Sequence, residues 1–201
     1  MRNRGCMSAG TIGIALLVIA AVLFFWGKNG YNTFVEKEQN VNEKWSNVQT
    51  VYQKRANLIP NLERTVKSYA QFEKETLTQV VEARSKATSV NIDPTNMTEA
   101  DLAIFQAAQG QLSGALSRLM VVVEKYPDLK ADQQYLNFQR EYIAIENSIR
   151  SETVYFNAAA KDYNVAIKTF PNNILANFTN FKEKPTFKAD EAAQTAPEVF
   201  K

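Results

Sequence analysis

The chain has 201 residues, with 23 basic and 21 acidic side chains, one cysteine and no histidine. Without histidine, Ser–His and Cys–His nucleophile pairs, Glu-x-x-His carboxylate sites and the usual zinc sites cannot be built, and a single cysteine excludes an internal disulfide. Neither a G-x-x-x-x-G-K-[ST] loop nor a G-x-G-x-x-G turn is present, so the composition argues against an enzyme, a cofactor and a bound metal.

The amino end holds the strongest signal. No charged side chain occurs between Gly5 and Gly27, and residues 11–26 read TIGIALLVIAAVLFFW. With residues 7–10 this makes a stretch of about 20 residues, matching a hydrocarbon slab of ~30 Å at about 1.5 Å per residue. Ten of the fourteen residues 12–25 are Leu, Ile, Val or Phe: Ile12, Ile14, Leu16, Leu17, Val18, Ile19, Val22, Leu23, Phe24 and Phe25. Each contributes roughly −0.3 to −0.6 kcal/mol on insertion, so residues 7–27 read as a transmembrane anchor, preceded by a short tail over 1–6. Trp26 and the two phenylalanines resemble an interfacial belt. The competing reading is a cleaved leader with Arg2 and Arg4 as its positive start, but cleavage calls for small residues where this chain has Phe24, Phe25 and Trp26. The expected place is a cell membrane, crossed once. Arg2, Arg4 and the α-amine face Lys28, Lys37 and Lys44 across it, a balance that leans only slightly to a cytoplasmic amino end and an extracytoplasmic domain.

Setting aside Arg2, Arg4 and Lys28 leaves 20 basic against 21 acidic groups, a net of −1. Such a domain is poorly suited to nucleic acid, which is held by an excess of Lys and Arg. Its first helical pattern spans about 29–55, with Val35, Val41, Trp45, Val48 and Val51 or Tyr52 on one face. The second spans about 58–87, with Ile59, Leu62, Val66, Tyr69, Val80 and Ala83 inward. Between them, Asn57 and Pro60 mark a turn or kink, because proline breaks a helix interior. After a break at 90–96, Thr98 and Asp101 resemble a capping box. A third helix then carries Leu102, Phe105, Leu112, Leu116, Leu119 and Val123. Gly110 and Gly114, four apart, suggest a close helix approach.

The fourth pattern is the most regular. Tyr142, Ile149, Phe156, Tyr163 and Phe170 recur every seven residues, with Phe138, Ile145, Glu152, Ala159 and Ala166 as the partner row. Glu152 is the lone charge there, and Arg55, Arg84 or Arg118 is its expected partner. Glu63–Lys67, Glu82–Lys86 and Glu146–Arg150 read as solvated i,i+4 pairs. The expected fold is all-α: an antiparallel up-and-down bundle of four long helices over 29–171, reversing at Pro60. A three-helix arrangement with a kinked first helix is the alternative. The tail, 172–201, keeps Phe178, Phe181, Phe187 and Phe200 and is expected to dock on the bundle.

Several strings carry a resemblance: YNTFV at 31–35, KRANLIPNL at 54–62, VKSYA at 66–70, Ala83-Arg84, LSRL at 116–119, VVEKYPDLKA at 122–131, Glu146-Asn147, Tyr163-Asn164 and Phe170-Pro171. In this order they resemble the LemA family of bacterial membrane proteins over nearly the whole chain. The resemblance implies one amino-terminal span, an antiparallel helical bundle, and neither established catalysis nor a cofactor. It also implies an accessory or scaffold role, one branch being associated with magnetosome membranes and others with membrane metallopeptidases. The chain departs from the family pattern at Asn57 (often Asp), at Phe72-Glu73 (often His-Glu) and at Phe156-Asn157 (often Tyr-Asn). The lost histidine argues against an inherited metal or acid–base role. The expected function is a membrane-anchored, non-catalytic scaffold or assembly protein with the lipid bilayer and a protein, or a second copy, as partners. The alternative is an extracytoplasmic sensing domain acting through a membrane partner such as a protease.

Overall fold

The computed structural model describes residues 9–69 and 72–188. The expected tail over 1–6 and the end of the carboxyl tail, Phe200 included, lie outside the described residues. Those described form six helices and no strand: α1 (Ala9–Lys67), α2 (Lys74–Ser89), α3 (Glu99–Val123), α4 (Pro127–Lys130), α5 (Gln133–Lys168) and α6 (Asn172–Thr179).

The expected reversal at Pro60 does not occur. Helix α1 runs unbroken through Asn57 and Pro60 to Lys67, so the first predicted pattern and the start of the second share one helix, while Val80 and Ala83 of the second fall on α2. Proline at position 60 has no N–H to give to the carbonyl four residues back, that of Ala56. Arg84 of α2 supplies the missing donor, its Nε lying 2.9 Å from the Ala56 oxygen. A tertiary hydrogen bond thus replaces the local one. Asn57 sits on the exposed side of this stretch and accepts from Gln53 Nε2 at 2.9 Å.

The other boundaries follow local chemistry. Thr98 caps α3: its hydroxyl accepts from the Asp101 amide at 3.2 Å, and the Asp101 carboxylate accepts from the Thr98 amide at 2.9 Å. Pro127 occupies the first turn of α4, where its missing donor costs nothing. Asp132 caps α5 by accepting from Gln134 and Tyr135 amides at 2.7 and 3.1 Å. Helix α5 ends at Lys168, since Phe170 precedes Pro171 and is biased away from helical angles.

Helices α1 and α5 lie antiparallel along most of the domain. Trp45 meets Phe156, Arg55 meets Glu146 and Tyr69 meets Asp132. Helix α3 runs with α1, placing Phe105 on Trp45 and Ser113 on Arg55. Helix α2 returns beside it, Gln109 reaching the Ala87 carbonyl. The buried side chains form two clusters. The one nearer the amino end of α1 holds Phe34, Trp45, Phe105, Phe156 and Tyr163. The far one holds Leu62, Val66, Leu112, Leu119 and Tyr135. Trp45 is fully buried with ring centroids of Phe105 and Phe156 at 5.2 and 5.5 Å; such pairs contribute about 0.5–1.5 kcal/mol beyond their buried area.

Three further expectations change. Gly110 and Gly114 have open space where a Cβ would stand, so no helix comes close at either. The glycine that does permit close packing is Gly30, where a Cβ would lie 2.7 Å from Leu175 Cδ2 of α6. On α5, Ile149, Phe156 and Tyr163 are buried but Phe170, beyond the helix end, is 76 % exposed. In the expected partner row Phe138 and Ala159 are buried, while Ile145, Glu152 and Ala166 are only half-buried, and Ala160 and Ile167, each one residue further on, are buried as well. A straight helix drifts ~20° per heptad against a strict seven-residue repeat. A tyrosine or phenylalanine row can absorb that drift, whereas the position of its narrower partner row cannot be read from spacing alone.

Candidate functional site

Three features of the described residues carry what this chain can do: the apolar start of α1, a buried arginine between the two clusters, and a strap locked by a buried lysine.

From Ile12 to Phe25 every large apolar side chain of α1 is exposed on every side of the helix, from Ile12 at 46 % to Leu17 at 72 % and Phe24 at 67 %. Soluble surfaces rarely expose a contiguous apolar patch beyond a few hundred Å². The stretch satisfies the length and composition of a membrane-crossing helix, and none of its strongest window is covered by protein. Cover begins at Trp26 and Gly27, both half-buried, and the domain core begins at Phe34. Apolar stretch and core therefore share one helix with no linker between them.

Arg55 is 2 % exposed. Its Nη1 donates to Glu146 Oε1 at 2.9 Å and to Ser113 Oγ at 2.6 Å, and its Nη2 donates to the backbone and side-chain oxygens of Gln109 at 3.1 and 2.6 Å. Its guanidinium lies 5.0 Å from the centroid of the Tyr52 ring. Gln109 then donates to the Ala87 carbonyl at 3.1 Å. One cation thus links α1, α3 and α5 directly and α2 through Gln109. Burial pushes the Tyr52 hydroxyl above its ordinary range, while Arg55 beside it pulls the other way. Glu146 pairs with Arg55 and not with Arg150, as its spacing had implied, and Glu152 is not the carboxylate that satisfies Arg55. Arg84, another of the three proposed partners, is committed to the Ala56 carbonyl.

The strap, residues 181–188, lies extended along α5 and α1. Lys184 is 5 % exposed; its ammonium donates to the Pro94 and Thr95 carbonyls at 3.1 and 3.0 Å and pairs with Glu38 Oε1 at 2.8 Å. Asn164 exchanges two hydrogen bonds with the Lys184 backbone, at 2.8 and 2.9 Å, and Asn157 does the same with Phe187, at 3.1 and 2.9 Å. The spacing explains the fit. Seven helical residues rise about 10.5 Å, and three extended residues cover about 10 Å. Phe187 then reaches Trp45, Phe105 and Phe156, while Phe181 packs on Tyr31 and Phe34. Phe178 stays 90 % exposed. Below the strap, burial and the Glu38 carboxylate raise the Tyr163 hydroxyl far above its ordinary range, and that hydroxyl has no hydrogen-bond partner.

Neither Arg55 nor Lys184 stood out in the sequence as functional. The aromatic–Asn pair repeated one heptad apart, Phe156-Asn157 and Tyr163-Asn164, was the available signal for the strap. Among the described residues no group of three or more His, Cys, Asp or Glu side chains is placed to hold a metal ion.

The sequence profile of the LemA family matches residues 44–200, more than three quarters of the chain. The chain belongs to the LemA family. Similar LemA-family sequences include a protein named LemA from Metamycoplasma hominis, 26 % identical over 179 residues, covering 89 % of this chain and 78 % of that protein. They also include magnetosome protein MamQ 2 of Paramagnetospirillum magneticum and MamQ of Magnetospirillum gryphiswaldense, each 28 % identical over 190 residues, covering 85 % of this chain and 70 % of the relative. The profile begins at Lys44, beyond the apolar start of α1, and takes in the Arg55 network, the Arg84 bond and the strap.

Proposed function

We propose that this chain is a membrane-anchored, non-catalytic scaffold or assembly protein of the bacterial envelope. The observation that carries the reading is the continuity of α1: the apolar residues from Ile12 to Trp26 and the core residues from Phe34 to Val66 belong to one helix. A protein held this way presents its surface at a fixed height and tilt above the bilayer, as an assembly platform requires and a soluble carrier does not. The two buried cations fit that role, because both terminal nitrogens of Arg55 and the ammonium of Lys184 are engaged by groups within the fold. Relatives named as magnetosome proteins, from the branch that the resemblance associates with magnetosome membranes, support a place in membrane organisation. The amino end is read as cytoplasmic and the bundle as extracytoplasmic, since long domains translocate largely regardless of charge.

Affinity capture from detergent-solubilised membranes tests the proposal. A protein partner or a second copy recovered in fixed stoichiometry supports it. Recovery of the chain alone after covalent cross-linking in intact cells contradicts it.

A further inference from the structure

Helix α6 is amphipathic. Its inner side packs on α1: Leu175 fills the space left by Gly30, Ala176 is buried, and Phe181 just beyond it meets Tyr31 and Phe34. Its outer side carries Ile174 and Phe178, four residues apart and 59 % and 90 % exposed, with Phe170 four residues earlier at 76 %. The left-handed Asn180, at φ 60°, closes the helix and turns the chain back along α1. Ile174 and Phe178 on the helix and Phe170 ahead of it are thus three large apolar groups left exposed.

Their position decides what covers them. Gly30 lies one helical turn beyond Trp26, about 6 Å up the axis of α1. The headgroup layer on each side of a ~30 Å hydrocarbon core is about 5–7 Å thick. Helix α6 therefore stands at headgroup height, beside the point where α1 leaves the apolar region. An amphipathic helix lying in that layer buries its apolar face roughly 5–10 Å into the headgroup–acyl boundary. We propose that α6 is a second membrane contact, a foot whose Ile174 and Phe178, with Phe170 just ahead of the helix, enter the lipid interface and fix the bundle's tilt. The proposal rests on α1 being the anchor and adds a separate binding surface to it.

Depth measurements on the full chain in phosphatidylcholine–phosphatidylglycerol vesicles test it. With Cys6→Ser as background, nitroxides are placed singly through Phe178→Cys, Ile174→Cys, Val22→Cys and Val121→Cys, all at exposed positions. Val121 lies at the far end of α3 and serves as the water reference. The foot predicts a ratio of oxygen to nickel-chelate accessibility at 174 and 178 several-fold above that at 121, approaching that at 22. Ratios at 174 and 178 equal to that at 121, with 22 still in lipid, overturn the foot and leave the anchor intact. A water-like ratio at 22 as well overturns both. Water-like ratios at 178 with spectral broadening that unlabelled protein dilutes away assign the face to a second copy, and likewise overturn the lipid contact.

Discussion

Pro60 removes a donor that the Ala56 carbonyl needs, and Arg84 restores one from another helix at 2.9 Å. Arg84→Leu leaves that carbonyl without a partner in a largely buried setting, a cost of about 1–3 kcal/mol. Pro60→Ala returns the local N–H, so Arg84→Leu made on that background should cost much less. Denaturant unfolding in mild detergent measures the cycle, and equal losses on both backgrounds would contradict the assignment. Tyr163 makes a second prediction. Its folded pKa is raised by burial, and Glu38 adds to the shift, whereas an unfolded tyrosine titrates near ~10. The unfolded chain therefore loses the proton first as pH rises, so the stability tied to the neutral hydroxyl is complete below about pH 10 and is lost above it. Tyr163→Phe should move the alkaline unfolding midpoint upward, as followed by circular dichroism; an unchanged midpoint would show that Tyr163 does not govern it.

The strap is held by two asparagines one heptad apart and by one lysine. Each asparagine satisfies both backbone polar groups of the residue it faces, Lys184 or Phe187. Asn157→Ala with Asn164→Ala leaves the helices intact but frees residues 181–188, and limited proteolysis should cut there many times faster than in the parent chain. Cleavage at the parent rate would mean that Phe181 and Phe187 hold the strap without the asparagines. This element also shows where sequence reading stops. The apolar face of α3 was legible, from Leu102 to Val123, because a helix buried on one side imposes a 3.6-residue period. The capping box at Thr98 was legible because both partners lie within four residues. Pro60 misled because the missing donor is visible at position 60, while its replacement is a packing event in another helix. Phe170 misled because a heptad can continue in sequence one step past the helix that carries it. Arg55 was hidden since nothing local separates a buried arginine from a solvated one.

For the whole molecule, the apolar stretch of α1 was the clearest signal, because a bilayer demands a length and purity of apolar sequence that a globular core does not. What the sequence alone could not disclose is that the apolar stretch and the domain share one helix, since residues 7–27 and 29–55 read as two separate patterns. That the amino end of this helix holds the chain in the membrane is the central claim. It is tested most directly by separating membranes from soluble material at alkaline pH and determining where the recovered chain begins. The account predicts a chain in the membrane pellet that still carries residues 12–26. A chain beginning after Trp26 and found in the soluble fraction would contradict it.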